Sequence, residues 1–331
     1  TEVQTIKNVS GIHTQDDRLM DIAEEAGIIT TAVGPNVLPK IAANIAKCIT
    51  RRREKGIHSF INIIACENMF KASDLLRDAV LELLSDEDRK YLSEYVGFPN
   101  SVVDRIVPPQ APDCSDDLLT VRVEPFFEWI VDKSGFRGEI PEIEGMILTD
   151  NLPAYVERKL FTMNTGHAVT AYLGKAMGYK TIRNSISDPT IYKCVKSAME
   201  ESGEALVKKY DFDSETHSNY INKIINRFKN PYLDDSVDRV GREPLRKLSG
   251  TDRLIKPMMM AMDYGIDPAN LIKGAAAAFA FSNEEDVQAV ELQTMIKNIG
   301  ITNTVAKVTG LEEHPIIVDR IVEAYYKILN R

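Results

Sequence analysis

The apolar and polar positions follow two different rhythms along the chain. The first half switches between short apolar runs and longer stretches with helical spacing. "GIITTAV" (Gly27 to Val33) is short, apolar and β-branched, and it closes at Gly34-Pro35. That pattern predicts a buried parallel strand followed by a loop. In "PKIAANIAKCITRRREKG", Ile41, Ile45 and Ile49 recur at helical spacing and the pattern stops at Gly56. "SFINIIAC" (Ser59 to Cys66) predicts a second buried strand, and "KASDLLRDAVLELL" a helix. Strand, helix, strand, helix argues for a doubly wound α/β domain. "LLTVRVE" (Leu118 to Glu124) alternates, which predicts a strand with one wet face, and "FFEWIV" predicts another. A stretch rich in Gly, Pro and Glu runs from Gly135 to Gly145 and marks the domain boundary. The division expected is residues 1–148 for the α/β domain and 149–331 for an all-helical one. From Asp150 onward nearly every segment has the 3.6-residue period. Ser187-Asp188-Pro189 and His314-Pro315 read as helix starts with proline in the first turn.

Composition narrows the function classes. The chain has 331 residues, 44% apolar and 27% charged, enough for one large domain or two ordinary ones. A formal net charge of −9 gives no electrostatic footprint for nucleic acid. No apolar run approaches the ~18 residues of a membrane span. Cys48, Cys66, Cys114 and Cys194 form no CxxC pair, and the five histidines form no HExxH pair. No metal site is predicted. Isolated cysteines read as reduced, which points to a cytoplasmic protein.

One stretch carries candidate chemistry. "KLFTMNTGH" sets Lys159, Asn164 and His167 in an otherwise apolar, helix-like segment. At 100° per residue, His167 and Asn164 fall about 80° and about 140° from Lys159, on one side of a helix. A lysine with a lowered pKa can take the proton of an alcohol being oxidised. An amide can donate to the oxygen as its charge changes. Taken alone, the helix is read more readily as a snorkelling lysine, a locally bonded asparagine and a satisfied histidine. Two loops shift that weighting. "ACEN" (Ala65 to Asn68) follows a predicted strand, and loops at strand C-termini face the ligand crevice of an open α/β sheet. Asn68 is then a second donor, or simply a helix cap. "TTAVGP" ends the other strand in the same way, and Gly34 allows close backbone approach.

Two charge clusters need separate treatment. Arg51-Arg52-Arg53 sits at a helix C-terminus, where cations are favourable without any ligand, and reads as surface. "GREPLRKLSGTDRLIK" gathers Arg242, Arg246, Lys247, Arg253 and Lys256 in an acidic chain. A sugar phosphate needs such partners, and so do helix ends and interdomain salt bridges. Asp104-Arg105, ahead of Pro108-Pro109, either orients substrate or ties its loop down.

"TTAVGP", "NIIACENM", "VDRIVPP", "DNLPAYVERKLFTMNTGHAVTAYLGK" and "VGREPLRKLSGTDRLIKP" together resemble the polyol-specific long-chain dehydrogenase family, in its mannitol-1-phosphate 5-dehydrogenase branch. The resemblance runs from about Ser10 to the C-terminus. It implies a Rossmann-type N-terminal domain, a helical C-terminal domain, NAD as cofactor and no catalytic metal. It implies Lys159 as general base, Asn68 and Asn164 as donors to the reacting oxygen, and His167 on a substrate hydroxyl. Thr31, Val33, Gly34 and Asn68 are then expected at the cofactor. Asp104, Arg105, Arg246, Lys247 and Arg253 are expected at the substrate. The implied reaction interconverts D-mannitol 1-phosphate and D-fructose 6-phosphate. The alternatives are an unphosphorylated polyol or sugar acid, and a non-catalytic sugar-phosphate binder. The expected partner is a small hexitol or ketose phosphate, with no nucleic acid or membrane, on a monomer or weak oligomer. The family's GxGxxG turn is absent from the chain, so Thr1 is expected to align after the first βαβ unit.

Overall fold

The computed structural model describes residues 4–107, 120–232 and 235–330. The chain divides into two compact units. One comprises Thr1–Arg105 with Pro125–Leu152, the other Ile106–Glu124 with Pro153–Arg331.

In the first unit the order is α1 (Arg18–Glu25), β1 (Ile28–Thr31), α2 (Leu38–Glu54), β2 (Ile61–Ala65), α3 (Ala72–Leu81), α4 (Asp86–Tyr95) and β3 (Val96–Gly97). Then come β4 (Ser101–Asp104), β5 (Glu128–Asp132) and β6 (Met146–Thr149). β1, β2 and β3 form a parallel sheet in that order. A second sheet has order β4-β5-β6, antiparallel between β4 and β5 and parallel between β5 and β6. β2 is buried on both faces, which accounts for the mostly apolar run "INIIA". Ile61, Ile63 and Ala65 join the core formed with α2 and α3, while Ile64 packs with Val131 and Phe136. The β1–β2 register pairs Thr31 with Ala65, so the loops after these two strands leave the sheet side by side.

Two expectations about this part of the chain change. Thr120–Glu124 is not a strand; the rest of the alternating stretch, Leu118 and Leu119, lies outside the described residues. Its apparent polar position Glu124 is buried, receiving the Arg227 guanidinium at 2.9 and 2.7 Å and the Ile106 N–H at 2.6 Å. The burial is the reverse of a strand with one wet face: the acidic position is inside, while Val121 and Val123 are exposed. The arginine triplet is not simply surface either. Arg52 is fully buried and donates to the carbonyls of Glu24 and Ser59, while Arg53 meets Asp88 at 2.6 Å and Arg51 meets Asp21 at 2.5 Å.

The second unit is helical: α5 (Leu152–Arg158), a π-helical segment (Lys159–Asn164), α6 (Thr165–Ala176), α7 (Ile182–Ser187), α8 (Pro189–Tyr210) and α9 (Ser214–Phe228). These are followed by α10 (Val237–Gly241), α11 (Pro244–Lys247), α12 (Ile255–Asp263), α13 (Ala269–Phe279), α14 (Val287–Thr309) and α15 (Pro315–Leu329). The Asp188 carboxylate caps α8, accepting from the N–H groups of Thr190 and Ile191 at 2.8 and 3.1 Å, with Pro189 behind it. α6 is buried along most of its length. Its neighbours approach closely because two positions lack a side chain. A Cβ on Gly166 would stand 2.5 Å from Met199 Sδ, and one on Gly174 2.0 Å from Ser185 Oγ. Among the described residues no helix is long and apolar enough to cross a membrane.

Candidate active site

The stretch "KLFTMN" is not α-helical. Over Lys159–Asn164 the backbone follows a π-helix, and the Thr165 N–H reaches back to the Leu160 carbonyl. In an α-helix, bonds from i to i+4 make residues four apart neighbours. The i→i+5 ladder does the same for residues five apart. Lys159 and Asn164 are therefore stacked one turn apart, rather than separated by the wide angle that uniform α-geometry gives. Both are half-buried. π-Segments inside α-helices recur at functional sites because they re-aim side chains that an α-helix would splay.

His167 lies on the first turn of α6. Its ring stacks on Phe228, with centroids 5.0 Å apart and planes at 17°, and Nε2 sits 3.5 Å from Asp235 Oδ2. Asp235 also receives the Arg239 guanidinium. Burial works against the Asp235 charge, but hydrogen bonds from His167 and Arg239 outweigh it and hold the carboxyl below the usual carboxylate range. A carboxylate against one ring nitrogen favours a proton there and leaves the other nitrogen to meet a hydroxyl.

The π-segment is held from behind by buried hydroxyls. Ser202 Oγ on α8 donates to the Phe161 carbonyl at 2.6 Å. Thr165 Oγ1 donates to the Arg253 carbonyl at 2.7 Å, which ties the start of α6 to the basic run. Thr162 Oγ1 lies 3.5 Å from Nε2 of buried His217. Burial, with the positive Arg158 nearby, pushes the His217 imidazole down to about 4, so it is neutral at ordinary pH.

In the first unit, the loops after β1 and β2 are joined by a residue whose role the sequence did not reveal. Glu67 is buried and its carboxylate accepts from Thr31 Oγ1 at 3.1 Å, from the Val33 N–H at 2.9 Å and from the Gly34 N–H at 2.8 Å. It fixes Thr31, Val33 and Gly34, three of the four residues expected at the cofactor. Gly34 has φ +90° and open space where a Cβ would stand, so its backbone can be approached closely. Asn68, next to Glu67, is exposed and is not the cap of α3. The Asn100 amide oxygen does that work, accepting from the N–H groups of Ser73 and Asp74 at 3.1 and 3.3 Å. Asp104 is buried at the end of β4, and the Arg105 guanidinium lies 5.5 Å from the centre of the Phe127 ring. Pro108 and Pro109 fall outside the described residues.

The basic run resolves into unequal members. Lys247 is 4% exposed and its ammonium donates to the Arg242 carbonyl. Burial, with Arg253 and Arg246 nearby, pushes it down to about 7. An ammonium below the surface and bonded to the backbone is not placed to meet a phosphate, which corrects its expected substrate role. Arg253 pairs with Asp252 at 2.7 Å; Arg246 pairs with Glu243 at 2.8 Å and Asp252 at 3.2 Å.

Residues 1–145 match the mannitol dehydrogenase Rossmann domain and residues 151–329 the mannitol dehydrogenase C-terminal domain. The chain belongs to the mannitol dehydrogenase family. As a member of that family it is an oxidoreductase of the polyol dehydrogenase kind, with a Rossmann-like N-terminal domain and a helical C-terminal one. Among solved structures, a D-sorbitol dehydrogenase in substrate-free form matches this family member with a TM-score of 0.80 at 16% identity, covering 95% of this chain and 75% of that one. Pseudomonas fluorescens mannitol 2-dehydrogenase, in a ternary complex with NAD and D-mannitol, matches at 0.68 and 20% identity, covering 94% and 74%. At these identities the likeness concerns the fold.

Proposed function

We propose that the chain catalyses the NAD-dependent interconversion of D-mannitol 1-phosphate and D-fructose 6-phosphate. The observation that carries the dehydrogenase chemistry is the π-segment, whose backbone sets Lys159 and Asn164 one turn apart, with the oriented imidazole of His167 on the next turn. In the oxidation direction, Lys159 Nζ takes the hydroxyl proton while the Asn164 amide donates to the same oxygen. His167 holds a neighbouring hydroxyl of the substrate. Asn68 is the second amide donor in this reading.

The first unit suits a dinucleotide on two grounds. Parallel strands β1 and β2 open their loops at one sheet end, the usual ligand end of such sheets. Gly34 leaves space against its backbone. Thr31, Val33 and Gly34, fixed by Glu67, would hold NAD, which when bound accepts hydride from the substrate carbon.

The phosphate is the finer part of the proposal. It is supported by the tie from Thr165 to Arg253, which sets the basic run beside the π-segment. Arg246 and Arg253 are the proposed contacts. A second reading, an unphosphorylated polyol, is favoured by the internal pairing of those same arginines. Steady-state reduction of fructose 6-phosphate and of fructose, with NADH, decides between them. A charge-assisted contact of roughly 1.5–3 kcal/mol corresponds to about 10- to 150-fold in kcat/KM. Equal efficiency on the two sugars would leave the unphosphorylated reading.

A further inference from the structure

The π-turn needs an explanation, because an uninterrupted α-helix is the default for a buried apolar segment such as "KLFTMN". Shifting the ladder sends the Thr165 N–H to Leu160, so the Phe161 carbonyl loses the donor an α-helix would give it. An unsatisfied buried carbonyl costs about 1–3 kcal/mol. Ser202, fully buried on the facing helix α8, supplies a donor at 2.6 Å. Its other neighbour, the Met199 carbonyl, is farther at 3.3 Å. A hydroxyl has a single proton, so the shorter contact to Phe161 is the one it makes.

The approach that allows this bond is built into the packing. Met199, one turn before Ser202, rests where Gly166 has no side chain; a Cβ there would meet its sulfur at 2.5 Å. Next to Ser202, Gly203 makes room for His217, since a Cβ would stand 2.8 Å from the imidazole Nε2. The small pair Ser202-Gly203 therefore lets α8 approach both the π-segment and α9, with the hydroxyl aimed at the carbonyl that the π-turn leaves without its helical donor.

We infer that Ser202 is a positioning residue for the dehydrogenase reaction: its hydroxyl stabilises the π-turn over the competing α-helix, and so keeps Lys159 stacked on Asn164. The inference rests on the proposed role of Lys159. Ser202 touches neither substrate nor cofactor in this scheme; it acts through the Phe161 carbonyl. Displacing a reacting group by about 1 Å can reduce turnover on the order of 100-fold.

The test compares Ser202→Ala, Ser202→Cys and Ser185→Ala in the whole chain. Ser202→Cys leaves no cavity, and replaces the hydroxyl by a slightly larger atom and a weaker donor. Ser185→Ala is the structural control. It removes a buried hydroxyl that bonds a backbone carbonyl, Thr181, at 2.8 Å, but away from the π-segment. For Ser202→Ala the expected result is a fall in kcat of about 10- to 100-fold with little change in KM. Amide exchange in residues 160–165 should also quicken. Ser202→Cys should fall between Ser202→Ala and the wild type. Ser185→Ala should keep wild-type kcat even if its melting temperature drops as far. If Ser202→Ala and Ser185→Ala lose stability alike and both retain wild-type kcat, Ser202 is only a packing residue and the inference is overturned. Lys159→Ala, run alongside, separates the two levels. If it turns over normally, the general-base reading has failed; if it is dead while Ser202→Ala is unimpaired, only the positioning inference has failed.

Discussion

Two stretches of the second unit look alike in the sequence, each a concentration of polar side chains in an apolar setting. In the structure they differ. From Lys159 to Asn164 the backbone departs from α-geometry and a buried hydroxyl supports that departure, while a carboxylate orients His167 on the next turn. From Arg242 to Lys256 much of the charge is absorbed internally, as Lys247 bonds a backbone carbonyl and Arg246 and Arg253 meet carboxylates. Charge density alone therefore says little about a site. An unusual backbone that must be held in place says more, because strain or a broken ladder persists only when something over-determines it.

The comparison is broken most directly at Lys159. Lys159→Ala should lower kcat by about 10²- to 10⁴-fold while substrate binding persists, read from steady-state kinetics and ligand titration. Wild-type turnover across the pH range would remove the contrast between the two stretches. Asn164→Ala comes next, with about 10²- to 10³-fold expected in kcat for a lost donor to the reacting oxygen. An effect confined to KM would make Asn164 a binding residue instead. Arg246→Ala and Arg253→Ala should each affect fructose 6-phosphate more than fructose, by about 10- to 150-fold for the true contact. If both variants keep the wild-type preference, the basic run is structural throughout.

The smallest effect on activity is expected at Lys247. Lys247→Met should turn over like the wild type, and its signature should appear in stability. The folded ammonium titrates at about 7 against an ordinary 10.5, so between those values the unfolded chain binds more protons. Stability contributed by this site therefore rises as pH climbs from about 7 to 10.5, and is lost on the way down. Denaturant midpoints measured across that window should show a shallower slope in Lys247→Met. Matching slopes would mean that Lys247 is not held neutral.

Much of the architecture was legible because burial on both faces and helical spacing are local signals. The runs around Ile29, Ile45, Ile63 and Leu76 became β1, α2, β2 and α3. Asp188-Pro189 began α8 as its cap chemistry requires. What could not be read depends on partners distant in sequence. Glu67 looks like an ordinary acidic residue in a loop until Thr31, Val33 and Gly34 are seen to donate to it. Glu124 suggested a wet strand face until Arg227 appeared opposite it. The π-turn was the largest gap. Residue types at Lys159, Asn164 and His167 marked the chemistry, but a uniform 100° per residue misjudged how the first two are arranged. Nothing in "KLFTMN" itself distinguishes one ladder from the other. The signal lies more than forty positions later, in a serine that resembles any other small helix residue.

The π-turn also restricts chain length. A π-turn is in effect an α-helix carrying one surplus residue. Deleting any one of residues 160–163 would let the ladder close as a regular α-helix, with the lysine and the asparagine four apart and still neighbours one turn apart. Every buried apolar position after Asn164 would keep its neighbours, and the Phe161 or equivalent carbonyl would regain its helical donor. The shortened chain should fold and keep its amine and its amide on one side without help from Ser202. An added residue has no such outlet, because six apart on an α-helix the two would lie about 120° apart. Between Glu139 and Glu144, by contrast, the connection from β5 to β6 is irregular and tolerates a change in length. Homologous chains that perform this chemistry should therefore vary in length there, while keeping the lysine and the asparagine four or five residues apart.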